Sequence, residues 1–374
     1  MATFNYNLII KWLFMINKNK QWKVNQKLLE KNNELDLKNQ TFQINQNYNF
    51  NYIDKISAHL MATQSSADSS NAIEKIGLKT NNLLKRQQEK ILIQNYNCIL
   101  NEIKNNFDQW EINLSTILNL HQKLFENLPA DFNPLAGKFK QQQNYIVGTQ
   151  KQILFTPVSV NETPIYLNQL CNWFNNDHKI DFLIKIPIFI LDFLAIHPFN
   201  DGNGRISRLL TNLLYLKAGC DFIKYSSVEK IIFEKQNDYY ESIWLSEINW
   251  KENANNYDAF VNFHFDILDI VWQEFIDLIE FKNKVFNFKL SHYEIIVLLI
   301  VKLREKTIPI TKKNIIKIIN DYQLQISQAS VKKVLNQLTN QKALFLLYPG
   351  KSSYYDLVAD YFEPIRELIK QKTG

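Results

Sequence analysis

Cysteine, methionine, glycine and proline are all scarce in this chain of 374 residues, which contains 3, 3, 8 and 9 of them. The three cysteines, Cys98, Cys171 and Cys220, are scattered and do not have the spacing of metal ligands. A disulfide framework is therefore not expected, and a reducing, cytoplasmic setting is the default.

Long apolar runs are also missing. No stretch approaches the roughly 18 uninterrupted apolar residues of a membrane-spanning helix, so no membrane partner is expected. Residues 7–16 are apolar but short, and Lys11 interrupts them, so we interpret them as a packing helix or strand. The net charge of +6 is spread along the chain and permits a nucleic-acid or acidic partner without requiring one.

One stretch organises the rest of the chain: His197-Pro-Phe-Asn-Asp-Gly-Asn-Gly-Arg-Ile-Ser-Arg208. The apolar run before it, residues 186–196, is long enough for a buried helix, and Pro198 disfavours helical geometry at His197. After it, apolar residues recur at helical spacing until Gly219. The pattern predicts a helix ending at His197, a glycine-containing loop and a second helix.

The loop Asp201-Gly-Asn-Gly204 has the features of an anion-binding site. Glycines let backbone N–H groups approach a ligand, and the following helix directs its positive end to the same place. Arg205 and Arg208 project from one face of that helix. Asp201 can hold Mg²⁺, and His197 is a candidate general base. Each feature alone is commonly structural; together they indicate a site for a polyphosphate with Mg²⁺.

These twelve residues also match the signature of the Fic family, HPFx(D/E)GNGRxxR, at every specified position, with Asn200 at the free position and Asp201 at the acidic one. Fic proteins usually transfer AMP from ATP to a protein hydroxyl. The resemblance therefore implies an adenylyltransferase that uses ATP and Mg²⁺ and modifies Ser, Thr or Tyr of a target protein and of itself. It also implies a mainly α fold, with a helical-bundle core and a small β-hairpin flap.

The resemblance assigns a role to each residue of the motif. His197 would deprotonate the target hydroxyl, Asp201 would hold Mg²⁺ at the α- and β-phosphates, and Phe199 would anchor the loop in the core. The phosphate-binding residues would be Gly202, Asn203 and Gly204 in the anion hole, Arg205 against the phosphate charge, and Arg208 at the γ-phosphate.

A helix expected around residues 62–77 carries Ser70 and Glu74, four residues apart on one face. Taken alone, this is a cap followed by a solvated glutamate. Many Fic proteins, however, have an inhibitory helix with the pattern (S/T)xxxE(G/N), from which Lys75 departs here. The resemblance implies that Glu74 pairs with Arg208 and excludes the γ-phosphate, since both anions compete for one cation.

Further segments resemble other parts of the family's core. Residues 137–148 resemble the flap, on which a target peptide adds as a strand, with Lys140 where the family usually has Arg. His121, in the preceding helix, is expected to be structural. A tyrosine pair resembles one near the adenine in related proteins, although core packing explains such a pair equally well. The implied target-docking residues are Tyr145, Ile146, Val147 and Gly148, and the base-contacting residues are Tyr239 and Tyr240.

From about residue 290 the pattern changes to three helices followed by two strands, which resembles the winged helix that many Fic proteins append. If this domain bound DNA, the outward-facing side chains of its third helix would contact the bases. These side chains include no arginine: they are Gln328, Lys332, Lys333 and Gln337. This favours a protein-interaction or dimer module over DNA binding. We expect an N-terminal region at 1–80, a Fic core at 81–288 and a winged-helix-like domain at 289–374.

The sequence leaves several functions open. The same residues could remove AMP, with Glu74 orienting a water, or transfer UMP or another phosphate-containing group, because the base pocket is poorly specified. A winged-helix regulator that only senses nucleotide is the non-enzymatic alternative, which an intact His197 disfavours. Residues 1–60 have the weakest pattern of secondary structure, and the Asn-rich segment at 45–52 fits either a strand or disorder.

Overall fold

Helices dominate the computed structural model, which describes residues 23–44, 52–74, 83–128, 135–148, 150, 152–287, 289–322, 324–348 and 354–357. Over these residues the fold is mainly α with two small antiparallel sheets, which confirms the expected fold class. None of the helices in these ranges is long and apolar enough to span a membrane. Residues 7–16 and 45–51 lie outside the described residues.

The chain divides into two units, Met1–Gln273 and Glu274–Gly374. The first contains the hairpin of β1 (Ile146–Val147) and β2 (Ile153–Phe155). Its helices are α1 (Gln26–Ile44), α2 (Tyr52–Glu74), α3 (Leu83–Asn106), α4 (Leu114–Leu124), α5 (Thr163–Asn176), α6 (Phe182–Ile196), α7 (Asn203–Lys217), α8 (Val228–Glu234), α9 (Gln236–Glu247) and the first half of α10 (Asp258–Asn287).

Helices α6 and α7 form the centre of the first unit. Helix α6 is apolar on all sides and almost entirely buried, which is typical of a helix surrounded by other elements. It begins at Asp181, whose side chain accepts the Leu183 N–H, and ends at His197, which adopts the left-handed conformation. Gly202, also left-handed, begins α7. The predicted helix, loop and helix are confirmed.

Helix α2 packs on α3 and α8 through small side chains. Ala58, Ala62 and Ala67 are buried, as is Ser66, whose hydroxyl donates to Ser227 at the N-terminus of α8 (2.9 Å). Small residues let two helices approach closely, so this face fixes the path of α2 and places its last residue, Glu74, beside α7. Residues 75–77 of the expected inhibitory helix lie outside the described residues.

Over its described residues, the second unit contains the second half of α10, three further helices and a three-stranded antiparallel sheet of order β3-β5-β4. Thr311 and Ser327 cap two of the helices by accepting the backbone N–H groups of Asn314 and Ser330. Among the described residues of this unit, the two-residue strand β3 is an element that the sequence patterns did not predict. The elements are α11 (His292–Glu305), β3 (Ile310–Thr311), α12 (Lys312–Asp321), α13 (Gln328–Asn340), β4 (Leu344–Tyr348) and β5 (Tyr354–Leu357).

Candidate active site

His197 stands at the C-terminal end of α6 with φ +51° and ψ +64°. Its Nδ1 lies 3.2 Å from the carbonyl of Leu194, and because a carbonyl only accepts, Nδ1 carries the hydrogen and Nε2 is the basic nitrogen. Burial, together with the nearby Lys140 ammonium, lowers the pKa of His197 to about 4 against the opposing effects of the Leu194 carbonyl, Glu74 and Asp201. The imidazole is therefore neutral near pH 7 and able to accept a proton.

Phe199 is fully buried and ties the loop to the core, as the sequence predicts. The Asn203 side chain bridges its backbone: Oδ1 accepts the Phe199 N–H (2.9 Å) and Nδ2 donates to the Phe199 carbonyl (2.8 Å). The His121 ring stacks on the Phe199 ring at 3.8 Å with an interplanar angle of 10°. Asn203 thus fixes the loop by hydrogen bonds to its backbone, while the stacked rings of Phe199 and His121 anchor it in the core.

His121, on α4, connects three parts of the site. Its Nδ1 accepts the backbone N–H of Gly137 (2.9 Å), so its Nε2 carries the hydrogen and donates to the Asp201 carbonyl (3.1 Å). Burial lowers the pKa of His121 to about 4, which keeps this tautomer neutral. One turn further along the chain, Phe125 lies 5.3 Å from the Arg205 guanidinium. A side chain at Gly202 would meet Phe125 at 2.7 Å, so only glycine fits there.

Asp201 and Arg205 form an ion pair at the start of α7. Both carboxylate oxygens accept from Arg205 Nη2 at 3.0 Å, and Oδ1 also accepts the Gly202 N–H at 2.6 Å. The Asp201 side chain is 65% exposed and that of Arg205 is 6% exposed. No group of three or more potential metal ligands occurs in the described part of the chain. One exposed carboxylate is still a suitable partner for Mg²⁺, which takes its other ligands from phosphates and water.

Arg208 is buried, and two residues of α2 bind its guanidinium. Its Nε donates to Ser70 Oγ (2.8 Å), and its Nη2 donates to the Ser70 carbonyl (3.1 Å) and to Glu74 Oε1 (2.6 Å). A side chain at Gly204 would collide with Glu74 Oε1. The Glu74 carboxylate therefore lies directly against the first turn of α7, inside the anion-binding site that the sequence predicts.

A buried polar network lies behind Arg208, and sequence reasoning missed it. Tyr96 Oη donates to Glu229 Oε1 (2.7 Å), and Asn212 Nδ2 donates to the same oxygen (2.7 Å) and to the Arg208 carbonyl (2.9 Å). Because these residues come from three different helices, no local pattern reveals the network.

The two tyrosines predicted to contact the base differ in exposure. Tyr239 is 3% exposed and packs among the aromatic rings of Phe260 and Phe263, whereas Tyr240 is 45% exposed. The rings of the pair lie 5.3 Å apart. Burial and the nearby Glu74 raise the pKa of Tyr239, against the opposing effect of Arg208, so its hydroxyl stays protonated beside the phosphate site. Contact with a base remains a prediction for both residues.

Hydrogen bonds from the flap residues Lys140 and Asn144 join the flap to the end of α6 and to the loop that follows it. Lys140 donates from its backbone N–H to the Pro198 carbonyl (2.9 Å) and from Nζ to the Ile196 carbonyl (3.2 Å) and Asn144 Oδ1 (3.1 Å). Asn144 Nδ2 donates to the Phe199 carbonyl (3.0 Å). Beyond this base, several residues of the hairpin are exposed: Tyr145, Val147, Ile153 and Leu154.

Part of the chain that contains this site is similar to known protein families and proteins. Residues 111–215 match the model of the Fic/DOC family, and the chain therefore contains a Fic domain. The chain is 33% identical over 109 residues to a probable protein adenylyltransferase of Aquifex aeolicus, covering 29% of this chain and 32% of the relative. It is 34% identical over 112 residues to the protein adenylyltransferase fic-1 of Caenorhabditis elegans, covering 29% and 20%. These matches span at most about a third of each relative.

Two solved structures show the same fold. A Fic family protein from Desulfovibrio desulfuricans superposes with a TM-score of 0.54 at 16% identity, covering 91% of this chain and 98% of the other. A Fic-domain signalling protein from Bacteroides thetaiotaomicron gives a TM-score of 0.51 at 19% identity, covering 66% and 97%. At these identities the likeness establishes the fold and not the reaction.

Proposed function

We propose that this chain is a protein adenylyltransferase that transfers AMP from ATP to a Ser, Thr or Tyr hydroxyl of a target protein and of itself. One observation carries the proposal: a neutral imidazole, His197, lies beside an anion-binding site in which the carboxylate of Glu74 already contacts Arg208. The names of the similar proteins, which are adenylyltransferases, support the same reaction.

In this reaction His197 Nε2 takes the proton of the target hydroxyl. The oxygen bonds to the α-phosphorus, and the bond from that phosphorus to the bridging oxygen breaks, so pyrophosphate leaves. Arg205 and Arg208 stabilise the phosphate charge together with the N–H groups of the first turn of α7. Asp201 would hold Mg²⁺, which supplies further positive charge at the phosphates when bound.

Glu74 acts in this proposal as an internal inhibitor. Its carboxylate binds Arg208 at 2.6 Å, so the γ-phosphate of ATP can reach the same guanidinium only after Glu74 leaves. ATP held without its γ-phosphate contact presents a misaligned α-phosphate, and a misplacement of about 1 Å can cost ~10²-fold in rate. The buried Ser70, bound to the same arginine, holds the inhibitory helix in place.

The exposed strand residues of the flap are the surface on which we expect the target to dock, through backbone hydrogen bonds that need little target sequence. The second unit has the element order of a winged helix, and we propose that it binds protein, either a target or a second copy, in preference to DNA. We place the reaction in the cytoplasm, because Cys98, Cys171 and Cys220 are all free thiols.

The test is labelling with ATP that carries ³²P at the α-phosphate, with and without Mg²⁺. We expect strong label on protein in the Glu74→Gly variant, weak label in the wild type and none in His197→Ala. ATP labelled at the γ-phosphate is the control and should give no label. If Glu74→Gly labels neither itself nor proteins of a lysate, the adenylyltransferase proposal fails. Release of AMP from a modified protein, or labelling with UTP, would then identify the other reactions.

A further inference from the structure

Residues of the flap donate hydrogen bonds to three backbone carbonyls next to His197, the proposed general base. Lys140 and Asn144, four residues apart, donate to the carbonyls of Ile196, Pro198 and Phe199. Lys140 alone supplies two of these bonds, one on each side of His197, with donors 2.9 and 3.2 Å from the oxygens. A residue that binds both neighbours of another residue constrains the backbone between them.

The backbone between them has an unusual conformation. His197 has a φ of +51°, which is uncommon for any residue other than glycine and persists where the surroundings impose it. Helix α6 supplies part of that constraint, because the His197 N–H still donates to Phe193. The helix cannot fix the chain after its last residue, and there the backbone N–H of Lys140 binds the Pro198 carbonyl while Asn144 and Asn203 bind Phe199.

The Lys140 side chain is 1% exposed, which is rare for lysine. No ion pair involving Lys140 occurs among the described residues, and its ammonium group is satisfied by the Ile196 carbonyl and the Asn144 amide oxygen. Burial accordingly lowers the pKa of Lys140 to about 8. A buried cation without a carboxylate partner is unfavourable for folding, which indicates that its position serves another purpose.

We propose that Lys140 is a positioning residue for His197: its Nζ holds the carbonyl of the preceding residue, Ile196, and its backbone N–H holds the carbonyl of the following residue, Pro198, so that the imidazole keeps its place beside the anion-binding site. The proposal rests on the function of His197 as general base proposed above. The proposal also links the flap to catalysis. The strand on which a target would dock begins at Ile146, two residues after Asn144, and the Asn144 side chain binds both Lys140 and the Phe199 carbonyl.

The test compares Lys140→Met and Lys140→Arg in the Glu74→Gly background. Methionine keeps the length and apolar contacts of the lysine stem, and also the backbone N–H that binds the Pro198 carbonyl, but it removes the Nζ donor to the Ile196 carbonyl and to Asn144. We expect kcat to fall between ten- and about a hundredfold, the loss that an ångström of misplacement produces, while KM for ATP stays within about twofold. Arginine, which keeps the charge and the donors, should retain most of kcat.

Lys138→Met is the matched control, since it makes the same change two residues away at an exposed side chain and should leave kcat unchanged. An equal loss in Lys138→Met, an unchanged kcat in Lys140→Met, or a loss confined to KM would overturn the proposal. If Lys140→Met unfolds, Asn144→Ala replaces it, since it removes the bond to Phe199 and should lower kcat in the same way.

A readout without turnover separates this proposal from the reaction itself. The ring signals of His197 in an NMR spectrum, assigned by their loss in His197→Ala, should shift in Lys140→Met and stay in place in Lys138→Met. If Glu74→Gly shows no labelling, the proposed function fails, and the NMR comparison still decides the role of Lys140. Unchanged His197 signals in Lys140→Met would refute it.

Discussion

Ser70 offers a way to weaken the proposed inhibition without changing Glu74. Its hydroxyl is completely buried and accepts the Arg208 Nε hydrogen at 2.8 Å. In Ser70→Ala the backbone carbonyl of residue 70 and the carboxylate of Glu74 keep their bonds to the guanidinium. Only the hydroxyl is lost, and with it the contacts that it makes with Arg208 on α7 and with Tyr96 on α3.

The size of the effect follows from the charge on Arg208. A hydrogen bond from a charged group contributes about 1.5–3 kcal/mol, and a buried donor left without its acceptor carries a further cost. This loss falls on the docked state alone, because an undocked α2 leaves Arg208 to water or to the γ-phosphate. Since about 1.4 kcal/mol is a factor of ten, the docking equilibrium should shift by roughly ten- to a hundredfold.

The assay is the initial rate of self-labelling from ATP carrying ³²P at the α-phosphate, at an ATP concentration below KM. Ser66→Ala is the graded control: Ser66 is also buried on α2, but its hydroxyl bonds the neutral hydroxyl of Ser227. We expect Ser70→Ala to label faster than Ser66→Ala, and both to label faster than wild type. A Ser70→Ala variant that labels no faster than Ser66→Ala would refute the argument from charge.

Three further predictions follow from single groups. Phe199→Ala should lower the free energy of unfolding by ~3–5 kcal/mol, because it removes a fully buried ring; an unchanged denaturation midpoint would contradict its role as an anchor. ADP, which lacks a γ-phosphate, should bind wild type and Glu74→Gly equally in calorimetry, whereas ATP should bind the variant more tightly; a gain for ADP would place Glu74 elsewhere. Burial lowers the pKa of His264 to about 3, from 6.5. Below pH 6.5 the unfolded chain therefore binds a proton that the folded protein does not, and the free energy of unfolding decreases as the pH decreases. His264→Phe should lose about 2 kcal/mol less than wild type between pH 7 and pH 5, measured by urea unfolding.

The sequence predicts those parts of the site that depend on local patterns. The end of α6 at His197 follows from an apolar run and Pro198, and the positions of the motif residues follow from the helix that starts after Gly202. The presence of a helix around Glu74 is equally local.

The contacts that organise the site join residues far apart in the chain, and no local pattern predicts them. Tyr96 and Glu229 are 133 residues apart, and Lys140 and Ile196 are 56 apart. The sequence shows that Lys140 stands where the family usually has Arg, but not that its ammonium group binds the end of α6. The pairing of Arg208 with Glu74 was predicted from the resemblance, and the structure shows that contact at 2.6 Å.

The two arginines of the motif are each paired with a carboxylate of the chain, and the two pairs differ in strength. Asp201, 65% exposed, holds Arg205 in a setting where water screens the attraction, so this pair is worth little and separates easily. Glu74, 31% exposed, binds a completely buried Arg208 that Ser70 also holds, so separating this pair requires movement of α2. In the proposed reaction, ATP would displace Asp201 from Arg205 by local rearrangement, whereas its γ-phosphate would have to compete with a whole helix. Under that proposal, this difference makes Arg208 the point at which the activity of the site is controlled.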